Sequence, residues 1–228
     1  MAHQSEYPDV QAATEAILAK MKSMANPDKM AGMARYGINV DNALGLSMPV
    51  IRKMARGRHS HSLALALWSS QIHEARILAA LVDRADEVTE EQMDSWVLDF
   101  NSWDLCDQVC SNLFIYTPFA VEKAHAWSNR PEEFVKRAGF VLMAAMAVHD
   151  KKAENALFLE FLPVIQREAT DGRNFVKKAV NWALRQIGKR NPELKTEAIE
   201  ACRHIMEINT PASRWIARDA LKELTRHR

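Results

Sequence analysis

Two short segments place tryptophan beside charged groups at helical spacing. In NSWDLCD, residues 101–107, Trp103 and Asp107 are four positions apart and so share one helix face. In NFVKKAVNWALRQIGKR, residues 174–190, Lys178, Trp182, Arg185 and Lys189 fall at i, i+4, i+7 and i+11. At ~100° per residue these four positions form one narrow stripe. Three cations around an indole make a track for phosphates, with an aromatic face that can stack or meet a cation. The plainer alternatives are a solvated basic face whose tryptophan covers a neighbouring helix and, in the first segment, a packed tryptophan beside a solvated aspartate.

The two acids of the first segment differ. Ser102 is a good N-cap for a helix beginning at Trp103, and Asp104 then lies in the first turn, where a carboxylate favours the positive helix end. Asp107 lies beyond that turn and has no such explanation. Leu105, Cys106, Val109, Cys110 and Leu113 form the apolar side, with Trp103 at its border and Asp107 outside it. Cys106 and Cys110 read as small buried hydrophobes, since no histidine or cysteine nearby completes a metal set. On the basic segment, Val176, Ala179, Val180, Ala183 and Ile187 supply the core face.

Two more basic clusters stand out. Lys136 and Arg137 open a strongly apolar helix, where the dipole disfavours cations, so an acid or a phosphate should compensate; Glu132 and Glu133 are the local candidates. Arg52, Lys53, Arg56 and Arg58 form the other cluster, a phosphate contact or a soluble helix end.

The elements that must position these residues are helices. Apolar residues recur with helical period and alternating strand patterns are missing. Glycine is scarce, at 7 residues, which argues against a turn-rich β fold. Asn26-Pro27, Thr117-Pro118, Asn191-Pro192 and Thr210-Pro211 each set a capping residue before proline, the arrangement of a helix start. Thr89 to Gln92 matches a capping box. These signals predict about a dozen helices, running from near Pro8 to His227. Ala138, Ala179 and Ala220 recur at a spacing of 41 in alanine-rich helices that carry a basic residue, which falls in the range of HEAT or armadillo helix pairs. Stacked pairs of this kind expose one concave surface. No linker rich in Gly, Ser or Pro interrupts the chain, so a single domain over residues 1–228 is expected.

Net charge is +1, which points to no partner by itself; 30 cations would have to be segregated from 29 acids to make a nucleic-acid surface. Three cysteines without framework spacing fit a reducing compartment. The first residues, MAHQSEYPDVQ, lack an apolar signal core, and no stretch is long and apolar enough to span a membrane. Cytoplasmic residence is the expectation.

Four stretches, MARYGI (33–38), GLSMPVIRKMAR (45–56), NSWDLCD (101–107) and KKAVNWALRQIGKR (177–190), resemble the AlkD-like DNA alkylation repair family, all-helical HEAT-like-repeat DNA glycosylases. The resemblance implies an all-α fold, a right-handed superhelix of HEAT-like repeats with a concave basic surface. It implies a monofunctional, monomeric DNA N-glycosylase that acts on duplex DNA and needs no metal or redox cofactor. Carried over residue by residue, Trp103 and Trp182 are similar to the tryptophans that flank the lesion's deoxyribose, and Asp107 to the catalytic carboxylate. Arg137 resembles the arginine that engages the backbone near the lesion, and Tyr36 a further DNA-contacting aromatic. Lys178, Arg185 and Lys189 would hold phosphates.

The implied chemistry is coherent. A purine alkylated at N3 or N7 is cationic and a better leaving group, and cleavage of its glycosidic bond develops positive charge on the sugar. A carboxylate and two indole faces can stabilise that charge. Two alternatives remain at this level: a non-catalytic repeat protein that binds distorted or branched DNA, and a protein-interaction scaffold.

Overall fold

The computed structural model describes residues 9–226, and every regular element among them is helical. The reading of residues 1–8, and the helix limits at Pro8 and His227, lie outside the described residues. Three of the four cap-before-proline signals mark helix starts. The side chains of Asn26, Asn191 and Thr210 each accept a backbone N–H, from Lys29, Leu194 and Ser213, with proline at the start of the helix that follows. Each such cap stabilises its helix by about 1 kcal/mol.

Two signals resolve differently. Thr117 does not cap forward; its hydroxyl donates back to the Phe114 carbonyl at 2.8 Å, and the next helix begins at Ala120 behind an uncapped Phe119. Thr89 caps its helix by accepting from the Gln92 N–H, but the box is not closed by Gln92 in return. The Gln92 amide donates instead to buried Asp83, at 2.8 Å.

The helices form two compact units, the first running to Thr117 and the second starting at Pro118. The first contains α1 (Val10–Ser23), α2 (Pro27–Arg35), α3 (Met48–Ala55), α4 (His61–Ser69), α5 (His73–Val82), α6 (Glu90–Leu98) and α7 (Trp103–Asn112), followed by a 3-10 turn (Phe114–Tyr116). Helix α5 is its centre: it packs against α3, α4 and α7 and is buried over almost its whole length. Trp68 of α4 and Trp96 of α6 stack with centroids 3.8 Å apart. Asp99, just after α6, accepts from the Trp68 indole at 2.8 Å and from Arg76 of α5 at 2.9 Å. Gly45 is required where it stands: its φ is +73°, and a β-carbon there would meet the Asn26 carbonyl oxygen at 2.3 Å.

The second unit contains α8 (Ala120–Ser128), α9 (Glu133–His149), α10 (Asn155–Glu168), α11 (Asn174–Lys189), α12 (Pro192–Ile208) and α13 (Pro211–Leu224). It is built in two layers. Helices α9, α11 and α13 lie side by side, and α8, α10 and α12 pack behind them. Ala138, Ala179 and Ala220, the 41-residue series, lie on α9, α11 and α13 and are all fully buried. Small side chains let these helices approach closely. Gly139 does the same between α9 and α8, since a β-carbon there would meet the Ser128 amide nitrogen at 2.6 Å. No described helix is long and apolar enough to cross a membrane.

Candidate functional site

Helix α7 begins at Trp103 behind Ser102, which is fully buried. Leu105, Cys106, Val109, Cys110 and Leu113 are buried as the apolar pattern requires, which leaves Trp103 and Asp107 half-buried at the edge of the core. The indole N–H of Trp103 donates to the backbone carbonyl of Tyr36 at 3.0 Å. That bond fixes the ring against the turn after α2 and places Tyr36, 75% exposed, next to it.

Asp104 does more than complement a helix end. Its carboxylate accepts from His73 Nε2 at 2.8 Å, tying the first turn of α7 to the first residue of α5. Burial works to raise the Asp104 pKa, but the hydrogen bond and charge of His73 outweigh it and hold the carboxyl below its ordinary value. The next residue on α5, Glu74, is 1% exposed and accepts from three backbone N–H groups, those of Leu44, Gly45 and Leu46, at 2.7–3.1 Å. His73 and Glu74 thus fasten α7 and the loop before α3 to one point of the core. No single-helix reading could find this, because the partners are some thirty residues apart.

Helix α11 is positioned by its core face, with Val176, Ala179, Val180, Ala183 and Ile187 all fully buried. Buried Asn181 adds a hydrogen bond to the Ile216 carbonyl of α13, at 3.1 Å. The predicted stripe lies on the outer side: Lys178 and Lys189 are exposed, Trp182 and Arg185 half-buried. Its cations are not all available to a ligand, however. Glu223 of α13 pairs with both Arg185 and Lys189, and Asp219 lies 3.8 Å from Arg185. Only Lys178 of the three lacks an ion pair among the described residues.

The cations opening α9 are compensated by acids from elsewhere in the unit. Lys136 pairs with Glu168 at 2.5 Å and lies 3.8 Å from Asp171, while Glu132 is taken by Arg130. Burial opposes ionisation of Glu168, but Lys136 and Arg167 hold its pKa down. Arg137, expected at the DNA backbone, is 5% exposed and donates to the Phe175 carbonyl at 2.6 Å, fastening the start of α11 to α9. All three cysteines are free and buried, and burial pushes the Cys202 thiol up to about 12.

A family model described as "DNA alkylation repair enzyme" matches residues 17–224. The chain belongs to that family. A solved structure described as "a new family of proteins related to the HEAT-like repeat DNA glycosylases with affinity for branched DNA structures" shares the fold, with a TM-score of 0.75 over 92% of this chain and 94% of that one at 15% identity. No curated protein sequence matches the chain significantly. The all-α, HEAT-like-repeat architecture is therefore that of the DNA alkylation repair family and its structural relatives.

In this family member, charge is segregated within the second unit despite the near-neutral total. Helix α11 carries Lys177, Lys178, Arg185 and Lys189 and no acid. Helix α12, in the layer behind, carries Glu193, Glu197, Glu200 and Glu207 against Lys195 and Arg203. An open basin of about 1040 Å³ at the C-terminal ends of α11 and α13 is lined by Lys189, Lys195, Lys222 and Arg226, with Asp219 and Glu223 on its wall.

Proposed function

We propose that this chain is a monofunctional DNA glycosylase that releases cationic alkylated purines, of the 3-methyladenine and 7-methylguanine type, from duplex DNA. The observation that carries the reading is the α7 edge: Asp107 stands one turn after Trp103, whose ring is oriented by its bond to the Tyr36 carbonyl. Family membership supplies the substrate context.

In this reading the bond between the sugar C1′ and the base nitrogen breaks with its electron pair going to the base. The cationic purine leaves neutral, and positive charge develops on the sugar. The Asp107 carboxylate stabilises that charge and orients a water, whose oxygen bonds to C1′ as its proton is lost. The indole face of Trp103 contributes electron-rich surface to that cation, and the Trp182 indole offers an aromatic face to the DNA. Lys178, Arg185 and Lys189 hold phosphates, the latter two by exchanging Glu223 for the DNA backbone. Arg137 acts through the α11 start that it fastens, and Tyr36 offers an exposed ring to the DNA. No cofactor enters the scheme, and the protein acts as a cytoplasmic monomer.

The test is chromatography of the bases released when the protein is incubated with methylated duplex DNA. Release of 3-methyladenine or 7-methylguanine is expected. Salt-sensitive DNA binding without any release would instead favour a second reading, recognition of branched DNA, which the affinity described for the structural relative supports. Preference for a four-way junction over a linear duplex would mark that outcome.

A further inference from the structure

Trp215 is the one exposed tryptophan of the six, with 38% of its surface open. It stands on α13, the helix whose Lys222 also lines the basin described above, and its neighbours are cations. Lys177 of α11 places its Nζ 4.8 Å from the centre of the ring. Arg218 and Lys222 follow at i+3 and i+7, within roughly 60° of Trp215 around the helix axis at ~100° per residue, and Arg226 continues the line just past the helix end. All three are exposed and make no ion pair among the described residues. The acids of α13, Asp219 and Glu223, lie on its border with α11 and are engaged by Arg185 and Lys189. The dipole at the helix C-terminus accounts for Lys222, but it accounts for neither mid-helix Arg218 nor an indole left in water.

We propose that this face of α13 is a second nucleic-acid site, which binds an unpaired DNA strand by stacking a base on Trp215 while Lys177, Arg218 and Lys222 meet the flanking phosphates. Charge complementarity selects a polyanion, and the exposed indole selects an unstacked base, since bases within a duplex keep their faces covered. Aromatic stacking beside a cationic track is the general chemistry of single-strand binding and is tolerant of sequence. The inference is independent of the glycosylase reading.

The experiment is fluorescence anisotropy of an end-labelled oligothymidylate titrated with the full chain at several salt concentrations. Oligothymidylate contains no purine, so lesion chemistry plays no part. Binding that weakens with salt is expected. Trp215→Ala should weaken it about tenfold while Trp215→Phe keeps most of it. The double substitution Arg218→Ala with Lys222→Ala should flatten the salt slope by about 1.4, at ~0.7 per single-strand phosphate contact. Both sets of variants should release methylated purines at the wild-type rate. The proposal is overturned if oligothymidylate does not bind, if binding ignores all these substitutions, or if an unbranched duplex binds equally well with the same dependence on Trp215.

Discussion

Helices α7 and α11 each present a tryptophan at the edge of a buried face, yet they are held by different means. Around α7 the fastening contacts inside the unit are polar, His73 to Asp104 and Glu74 to three backbone N–H groups, and the exposed bond from the Trp103 indole to the Tyr36 carbonyl adds to them at the surface. Around α11 the charged contacts lie at the surface, where Glu223 joins Arg185 and Lys189 with all three side chains roughly a third exposed. A buried polar group left without its partner is costly, so such contacts keep one geometry. Surface ion pairs are worth little and exchange partners readily. The first arrangement suits a group that must be aimed at a reacting centre, and the second suits cations that release a carboxylate to take a phosphate.

Substitutions at the two helices carry graded costs. The largest loss of stability is expected from Glu74→Ala, which strands three backbone donors and should cost about 3 kcal/mol or more in denaturant unfolding. Asp104→Ala should cost about 2 kcal/mol by removing the partner of His73. Its effect depends on pH with a definite sign. The folded-state pKa of Asp104 is lowered, so its contribution is complete above the ordinary aspartate value of 3.8 and is lost as pH falls through the folded value. Wild type and Asp104→Ala should therefore converge in stability at acid pH, and a constant gap would refute the assignment. Trp103→Phe keeps an aromatic face but loses the bond to Tyr36; about 1 kcal/mol in stability is expected, with a lower rate of base release at unchanged DNA affinity.

The smallest change in stability belongs to α11. Glu223→Gln should alter unfolding by less than about 1 kcal/mol. It should, however, tighten duplex binding at low salt and steepen the salt slope by up to about 0.9 for each of Arg185 and Lys189 that gains a phosphate. An unchanged slope would mean that these cations serve α13 alone.

The parts legible in the sequence were those governed by neighbours along the chain. Asn26, Asn191 and Thr210 cap as their proline partners require, and the apolar faces of α7 and α11 follow their periodicity. The 41-residue alanine series located the layer formed by α9, α11 and α13. What escaped was set by contacts between distant segments. Within its own helix the dipole is a sufficient reason for Asp104, whereas its partner His73 stands 31 positions earlier on another helix. The stripe on α11 looked uniformly basic because Glu223, 38 positions beyond Arg185, belongs to another helix. Thr117-Pro118 carries the same signal as the true caps, but a hydroxyl can cap forward or bond backward, and here it bonds back to Phe114.

If α7 does the chemistry and α11 holds DNA, as proposed, single-turnover base release at saturating protein separates the two. Asp107→Asn should slow release of 7-methylguanine by about 100-fold or more, the usual cost of removing one preorganised electrostatic group, with duplex affinity within a few fold of wild type. Lys178→Ala should do the reverse, weakening affinity and reducing the salt slope by about 0.9 while leaving the saturated rate intact. Undiminished release by Asp107→Asn would remove the α7 carboxylate from the reaction.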